Sequence, residues 1–504
     1  MKKGKLNRRE FLGSAAAASM AFTVMPRHVI GGPGYVPPSD KLTLAYIGCG
    51  TQGIREMAPL LANPNVQIVA VCDPNKYTTD YVDWSQNDVR NTIRRTLGDE
   101  SWGENIKGVP GGRDLGLEFV QKYYGKSKES GTYRGCTAYE DFRELLEKEK
   151  DLNAVKIMTP DHLHGYVAIT SMNKGKHVVT HKPIANRMYE AKKTIELAKT
   201  SGMSTHLLAW SEKPDNMKIK KWLTDGSIGK LKEIHNWSNR PMWPQWQENP
   251  TDTPPVPSGM NWPLWLGPVP DRPYHPNYTH AVFRGWYDFG AGSIADMGHY
   301  SLFPLFLALG INTPAKSAEA YGTTTCKLNG NVSVGVRNTV AFPPSCIVRF
   351  KFDAQKELPA FDLFWYDGGM KPFVSDAYGI NSDSLPREAM MFVGEKGMIL
   401  AGFRGESPKL YNGSKPVADD PAQQKQQQAQ GRDANSIWID AFKNKTQSPG
   451  SFIYAGPVTE TILLGGVALR TGKKVEYDSA AMKITNVPEA NQFLVREYRK
   501  GWEL

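Results

Sequence analysis

Side chains that could move a proton stand close together in the segment 288–300. Asp296 and Tyr300 are four residues apart, so they share one face of a helix, and His299 is beside them. A carboxylate, an imidazole and a phenol on one helix wall are suited to proton transfer. The residues alone leave function and packing equally open for this helix. For Lys182, which follows a short apolar run and a histidine, composition alone favours a plain surface residue.

A glycine-rich motif near the start of the chain has the spacing of a dinucleotide-binding fingerprint. The run Gly48-Cys49-Gly50-Thr51-Gln52-Gly53 follows the apolar stretch 42–47 and precedes a segment that can form a helix. Gly48 permits a tight turn, Gly50 lets the backbone approach a pyrophosphate, and Gly53 lets the helix pack closely. We therefore predict that these glycines, with Thr51 and Gln52, bind a dinucleotide at the helix N-terminus.

An acidic residue stands where such a site needs one. Asp73 ends the second apolar run, 66–72, and is placed to accept hydrogen bonds from the adenosine ribose. Because a carboxylate there repels a 2′-phosphate, the predicted cofactor is NAD rather than NADP. A strand–turn–helix without any ligand is the alternative.

The run Thr159-Pro160-Asp161-His162-Leu163-His164 follows the next apolar stretch, at the ligand-facing end of a sheet. Two histidines and an aspartate suggest a metal site, but no second cluster supplies further ligands. We therefore predict no metal, and we expect Thr159, Pro160, His162 and His164 to line the cofactor pocket.

The elements that must position these residues follow from apolar periodicity. Apolar runs of strand length occur at 42–47, 66–72, 154–158, 177–180 and 205–208. Helical stretches between them predict an α/β fold, with a doubly wound Rossmann sheet over 41–210 and a polar insertion at about 81–135. Alternating stretches at 345–352 and 388–400 predict a second, α+β domain over 211–504, with a large, open-faced, mostly antiparallel sheet.

The first thirty residues have the features of an export signal. Asn7-Arg8-Arg9-Glu10-Phe11-Leu12-Gly13 precedes a run of small apolar residues, as is typical of the twin-arginine route for folded proteins. We therefore predict a signal segment over 1–30 and a periplasmic location, with a general secretory signal as the alternative. No later stretch approaches the roughly 18 unbroken apolar residues of a membrane span, so none is predicted.

Charge and cysteine content exclude several classes of protein. Residues 1–30 contribute half of the formal net charge of +10, and no basic block follows, so nucleic acid is not an expected partner. The five cysteines are widely spaced, which fits neither a disulfide scaffold nor a zinc site.

Together, these motifs resemble the Gfo/Idh/MocA oxidoreductases, the relatives of glucose–fructose oxidoreductase and inositol dehydrogenase. The motifs that occur in the family's order are the glycine run, Asp73, Thr159–His162, Lys182-Pro183 and the Asp296 helix. The blocks 239–244, 265–268 and 454–457 resemble an exported, Bacteroidetes-type branch of that family. The resemblance runs over nearly the whole chain after the signal segment, and it implies a homo-oligomer, a dimer or a tetramer.

The resemblance also implies roles for individual residues. Lys182 occupies the place of the family's catalytic, nicotinamide-proximal lysine, with His181 where a glutamate usually stands. The literal motif Glu212-Lys213-Pro214 comes one strand too late and is interpreted as a coincidence. Asp296 and Tyr300 match the family's aspartate followed at i+4 by histidine or tyrosine. Since His299 is one position early, which of His299 and Tyr300 faces the substrate stays open.

The predicted substrate is a carbohydrate. Tryptophans and prolines crowd the segment 237–286, and aromatic rings stack on pyranose rings, although ordinary loop packing is an equally open interpretation. We predict substrate contacts from Arg240, Trp243 and Trp286. The predicted function is an NAD-dependent oxidoreductase, with tightly bound cofactor, acting on a hydroxyl of a sugar or glycoside. The alternatives are a redox-assisted glycoside lyase that works by β-elimination and a non-catalytic sugar-sensing protein.

Overall fold

The computed structural model of the protein describes residues 37–417 and 433–504. The predicted signal segment 1–30 and the Gln-rich stretch 419–431 lie outside the described residues. Within the described part, the chain forms a parallel sheet followed by a larger mixed sheet, so the predicted fold class is confirmed.

Parallel strands form the first sheet in the order β3-β2-β1-β4-β5-β6. The strands are β1 (Leu42–Ile47), β2 (Val66–Cys72), β3 (Thr137–Tyr139), β4 (Ala154–Ile157), β5 (His177–Thr180) and β6 (Thr205–Leu207). All residues of β4 and β5 are buried, as expected for parallel strands covered on both faces. The strand order reverses between β1 and β4, and open α/β sheets bind ligands at such a switch point.

Helices follow the strands of the first sheet. They are α1 (Thr51–Leu61), α2 (Asp88–Leu97), α3 (Arg113–Gly125), α4 (Phe142–Lys148), α5 (Asp161–Asn173) and α6 (Met188–Thr200). In α1, the apolar residues Ile54, Met57 and Leu60 are fully buried, because the i, i+3, i+6 spacing puts them on one face of the helix. The helices α2 and α3 belong to the insertion that separates β2 from β3.

The second sheet is mostly antiparallel and has the order β15-β14-β13-β7-β12-β11-β8-β16-β17. Its strands are β7 (Leu231–Trp237), β8 (Ser317–Gly322), β11 (Cys346–Phe352), β12 (Phe361–Tyr366), β13 (Ala389–Gly394), β14 (Met398–Gly402), β15 (Lys409–Tyr411), β16 (Val475–Asp478) and β17 (Lys483–Ile484), and β9 (Cys326–Asn329) pairs separately with β10 (Val332–Gly335). Only the β7–β12 pair is parallel in the described sheet. Burial alternates strictly along β11, so one face of the strand enters the core.

The helices of the second part of the chain are α7 (Pro214–Thr224), α8 (Trp262–Leu266), α9 (Gly292–Leu309), α10 (Ala434–Lys443) and α11 (Phe452–Thr471). The helix α11 is long and apolar enough to cross a membrane by length and composition, but 72% of its most apolar window is buried inside the protein. It packs against α6, α9 and β8 and is therefore a core helix.

The helix α10 crosses the predicted domain boundary. Trp438, Ile439 and Phe442 are buried in the core formed by β1, β2 and α1–α3. The prediction that all residues beyond 210 belong to the second domain is therefore wrong for this helix, because its apolar face covers the first sheet.

Candidate active site

A cleft at the switch point of the first sheet brings together the predicted nucleotide-binding residues. Its volume is about 800 Å³, including space open to solvent. Its lining from the first part of the chain includes Gly48, Gly50, Thr51, Gln52, Gly53, Asp73, Tyr81, Trp84, Met158, Thr159, Pro160, Leu163 and His181. Trp265, His280, Ala281, Phe283 and Arg284 close it from the second part of the chain.

The glycine motif turns so tightly that larger residues would not fit. Gly48 has a φ of +101°, and a Cβ there would lie 2.5 Å from the carbonyl carbon of Met158. A Cβ at Gly53 would lie 2.3 Å from the carbonyl oxygen of Gly48. Because Gly50 is the N-cap of α1 and has no capping side chain, N–H groups of the first turn remain for a ligand. This arrangement fits a pyrophosphate.

Asp73 is held at the edge of the same cleft. Its Oδ2 accepts a 2.7 Å hydrogen bond from the Cys49 backbone N–H, and its Oδ1 accepts one of 2.9 Å from Asn75. Burial raises the pKa of Asp73, and the two backbone hydrogen bonds act against that shift. Each carboxylate oxygen keeps a further lone pair, so the side chain can also accept from ribose hydroxyls. The residues of this cleft therefore fit NAD.

Residues 79–84, which we call the cover segment, lie over the glycine motif. A ring carbon of Tyr81 lies only 2.9 Å from where a Cβ of Gly50 would be, so the ring rests directly on the loop. Asp80 pairs with His280 at 3.1 Å, and the rings of Tyr81 and His280 are 4.0 Å apart. The cover segment thus joins the two sides of the cleft.

Further bonds attach the cover segment to helix α1. The Thr51 hydroxyl donates to the carbonyl of Val82 at 3.0 Å. Arg55 pairs with Asp83 at 2.6 Å and with Asp88 at 3.1 Å. Since Thr51 also lines the cleft, the helix that receives the cofactor and the segment above it form one unit.

A second cavity of about 640 Å³, including space open to solvent, adjoins the first. Its lining residues are Gln52, Trp84, His181, Lys182, Arg240, Trp243, Arg284, Asp296, Met297, Tyr300 and Arg404. Gln52, Trp84, His181 and Arg284 line both cavities. We call this second space the reaction cavity.

Lys182 lies in the wall of the reaction cavity and is only 2% exposed. Its Nζ donates a hydrogen bond to Oδ1 of Asp296, and Nε of Arg284 donates to the same oxygen at 3.2 Å. Burial lowers the pKa of Lys182, the Asp296 carboxylate opposes this, and Arg284 lowers it further. Burial acts to raise the pKa of Asp296, but Lys182 and Arg284 together hold it below its usual value. The site therefore combines a buried amine of weakened proton affinity with an ionised carboxylate.

His181 and Tyr300 form a second polar pair beside Lys182. Nε2 of His181 and the Tyr300 hydroxyl are 2.8 Å apart, and Nζ of Lys182 lies 5.4 Å from the centre of the Tyr300 ring. Burial lowers the pKa of His181 well below its usual value, with Lys182 and Arg284 acting in the same direction. Burial and the charge of Asp296 raise the pKa of Tyr300. A neutral imidazole thus meets a protonated phenol.

His299 lies away from the reaction cavity, although it precedes Tyr300 in the sequence. Its Nδ1 is 2.9 Å from the Ala295 carbonyl oxygen, its Nε2 is 3.3 Å from the Thr459 hydroxyl, and the residue is fully buried. The ring therefore joins α9 to α11. This placement does not fit the prediction of His299 as a catalytic residue, and it leaves Tyr300 as the side chain that faces the cavity.

His162 and His164 also lie outside the lining of both cavities. His162 contacts the carbonyl oxygen of Trp265 at 2.8 Å, and His164 contacts those of Pro183 and Thr159 at 2.6 and 2.8 Å. Burial lowers the pKa of His162 to about 3 and that of His164 to about 4. Their prediction as cofactor contacts therefore does not fit, since each ring lies against backbone carbonyl oxygens and, when neutral, donates to one of them. Through Pro183, His164 positions the turn that carries Lys182.

The predicted substrate contacts fall in different places. Arg240 and Trp243 line the reaction cavity. Trp286 is 2% exposed, stacks on Trp246 and donates to the Asn277 carbonyl, so it belongs to a packed aromatic cluster. The prediction of Trp286 as a substrate contact therefore does not fit.

Of the residues that line the reaction cavity, sequence reasoning missed Trp84, Arg284, Met297 and Arg404. Trp84 lies in the polar insertion, which also contains Trp102, and no local sequence pattern distinguishes the two. Arg284 lies in the short 3-10 helix His280–Gly285 and Arg404 lies in a turn, and no local sequence pattern marks either arginine. Within the described residues, no group of three or more His, Cys, Asp and Glu side chains is arranged to hold a metal ion.

Two family models match the chain on either side of the cleft. Residues 118–208 match the oxidoreductase family's NAD-binding Rossmann fold, and residues 216–319 match the family's C-terminal alpha/beta domain. Each of these two segments is therefore similar to the corresponding domain of that oxidoreductase family. The first part of the chain is therefore an NAD-binding Rossmann domain.

Comparisons with individual proteins agree with this assignment. The chain is 30% identical to the levoglucosan dehydrogenase of Pseudarthrobacter phenanthrenivorans over 111 residues, which is 21% of this chain and 28% of that protein. It is 25% identical to a glycosyl hydrolase family 109 protein of Shewanella pealeana over 208 residues, 38% of this chain and 37% of that one. These alignments thus span about a third of the relatives' lengths.

Solved structures show the same fold over a longer stretch. The WlbA dehydrogenase from Chromobacterium violaceum, crystallised with NADH and UDP-GlcNAcA, superposes with a TM-score of 0.53 at 15% identity. The superposition covers 88% of this chain and 97% of that structure. At this identity the likeness shows a shared fold.

Proposed function

We propose that the protein is an NAD-dependent oxidoreductase that acts on a hydroxyl of a sugar or glycoside. The observation that carries the proposal is the position of Lys182 and Asp296, in a reaction cavity that shares part of its wall with the nucleotide cleft. When bound, NAD supplies the acceptor for a hydride from the carbon that bears the hydroxyl. The family and its sugar-related dehydrogenases support this class of reaction.

The residues of the reaction cavity manage the proton of the hydroxyl. Lys182, whose pKa is lowered by burial, accepts that proton as a neutral amine when the C–H bond breaks. Asp296 fixes Nζ of Lys182 through their hydrogen bond and stabilises the ammonium that forms. Arg284 holds Asp296 from the other side and keeps it ionised.

Tyr300 and His181 offer a second group of polar atoms to the same substrate. The Tyr300 phenol lines the cavity and can hydrogen-bond a neighbouring sugar hydroxyl, while His181 fixes the position of the phenol oxygen. In this role, His181 orients Tyr300 where the family pattern has a glutamate. The aromatic faces of Trp84 and Trp243 are available to stack on a pyranose ring.

The test compares two lysine variants in the reduction of NAD by sugars. Lys182→Ala should lower turnover by about 10²-fold or more, the usual contribution of a positioned proton-transfer group, while NAD still binds. Lys213→Ala is the matched control, because Lys213 lies in the literal Glu-Lys-Pro motif, pairs with Glu406 at 3.5 Å and lies outside the cavity lining. Equal effects of the two substitutions would require a different site.

We also propose that the protein is exported to the periplasm in the folded state with NAD bound, and that it forms a homo-oligomer. The Arg8-Arg9 motif supports the export route. The cover segment, bound to both sides of the nucleotide cleft, supports retention of the cofactor during export. The family resemblance supports the oligomer.

A further inference from the structure

The charges that line the reaction cavity are unbalanced. Lys182, Arg240, Arg284 and Arg404 are cationic, whereas Asp296 is the one carboxylate among the lining residues. His181 adds no charge, because burial keeps its imidazole neutral. A half-buried group of cations with too few counter-charges is costly unless an anion joins it.

Asp296 is already engaged by two of these cations. Its Oδ1 accepts from both Lys182 and Arg284. In the described parts of the chain, Arg240 and Arg404 have no carboxylate within ion-pairing distance of their guanidinium groups. Among the described residues, these two arginines are therefore left without a direct ion-pair partner in the reaction cavity.

Each of the two guanidinium groups contacts an aromatic or apolar side chain. The Arg404 guanidinium lies over the Tyr300 ring at 4.8 Å, and a terminal nitrogen of Arg240 contacts the sulfur of Met242. Glu406 accepts from the backbone N–H of Arg404 at 2.8 Å and pairs with Lys213. Lys182 and Arg404 both approach the Tyr300 ring. One sugar ring can therefore place an anionic group at Arg404 and its reacting hydroxyl at Lys182, the proton acceptor.

The cofactor phosphates do not account for these arginines. Arg240 and Arg404 line the reaction cavity but not the nucleotide cleft. The glycine motif that fits the pyrophosphate lines the nucleotide cleft, and its three glycines are absent from the lining of the reaction cavity. The missing anion therefore belongs to the substrate.

We propose that the substrate is an anionic sugar whose carboxylate or phosphate is held by Arg240 and Arg404. This inference rests on the proposed function and narrows its substrate class. Guanidinium groups suit both anions, because their planar N–H pairs match carboxylate and phosphate oxygens. A hexuronic acid has the carboxylate on the ring that carries the reacting hydroxyl.

The test uses matched sugars that differ only at C6. The gluco, galacto and manno hexoses, their uronates and their 6-phosphates are titrated into NAD-loaded protein by calorimetry, and the reduction of NAD is followed in parallel. We expect an anionic member to bind at least about ten-fold more tightly than its parent hexose, with an affinity that falls as salt rises. The uronate and phosphate arms identify which anion is preferred.

Variants assign the preference to the two arginines. Arg240→Gln and Arg404→Gln should each remove most of the preference for the anionic sugar, whereas Arg134→Gln, at an exposed arginine outside both cavities, should leave it intact. Thermal unfolding checks that each variant is folded. Equal binding of neutral and anionic sugars, or a preference that survives both substitutions, would overturn the inference while leaving the oxidoreductase function in place. If NAD is bound but no sugar of the panel binds or reduces it, the proposed function itself fails.

Discussion

At the scale of single residues, the site depends on how Lys182 is charged. Its ammonium is disfavoured by burial and by Arg284 and favoured by Asp296, so its pKa results from opposing neighbours. Such competition is what places a lysine in the range where it can exchange a proton during turnover. Changing either neighbour should therefore move the pH dependence in a known direction.

The rate of sugar oxidation should rise with pH as Lys182 loses its proton, at a pKa below the ordinary lysine value of 10.5. Arg284→Gln removes a cation that disfavours the ammonium, so the rising limb should move to higher pH. Asp296→Asn removes the anion that favours it, so the limb should move to lower pH. The measurement is kcat against pH, with Arg134→Gln as the control. Shifts of the same sign in both variants would show that another group titrates.

The sequence identified residues whose role depends on where the backbone places them. The glycine motif and Asp73 are examples, because a tight turn and a strand end fix where they lie. It did not reveal side-chain direction. His299 and Tyr300 are adjacent on α9, yet one contacts α11 and the other lines the cavity. Arg404 reaches the site from a loop far away in the chain, and only the folded second sheet brings it there.

At the scale of elements, the cover segment and α1 act together over the nucleotide cleft. Arg55 is the central contact, since it forms ion pairs with both Asp83 and Asp88. The side chain of Asp83 is only 6% exposed. The sequence was interpreted as a polar insertion here, and it did not reveal α2. The apolar residues of α2 that become buried are Val89, Ile93 and Leu97, one per turn in an otherwise polar segment, which is too weak a pattern to detect.

Arg55→Met should loosen the cover segment while keeping the aliphatic stem of the side chain. We expect a loss of about 1–3 kcal/mol in the free energy of unfolding, between the values for exposed and buried ion pairs. The release of bound NAD during gel filtration should be several-fold faster, because the segment closes the cleft. Arg95→Met, at an exposed site on α2, is the control. Unchanged retention of NAD in Arg55→Met would mean that the cover segment does not hold the cofactor.

At the scale of the whole molecule, helix α10 from the second part of the chain packs into the core of the first domain. The alternating strands and helices defined the first sheet well, because a parallel strand buried on both faces is a continuous apolar run. The return of α10 to the first core could not be predicted, since its amphipathic face fits any apolar surface. The described core therefore depends on residues from both halves of the chain.

Export in the folded state makes a prediction for the intact precursor. Arg8→Lys combined with Arg9→Lys should leave the precursor in the cytoplasm, because the twin-arginine route requires the two arginines. The two lysines keep the positive charge that a general secretory signal needs, so that route would still export the variant. Cell fractionation with an antibody to the protein measures this. Normal export of the double variant would rule out the twin-arginine route.

Hydride transfer from a sugar carbon to NAD can be followed with deuterium. Protein loaded with NAD is mixed with a fully carbon-deuterated sugar or glycoside that it turns over, and the nucleotide and sugar products are analysed by mass spectrometry. We expect deuterium on the NADH formed, in proportion to oxidised sugar, and a slower reaction than with the unlabelled substrate. Release of an aglycone with deuterium returned to the same sugar and no net NADH would contradict it and indicate a redox-assisted lyase instead.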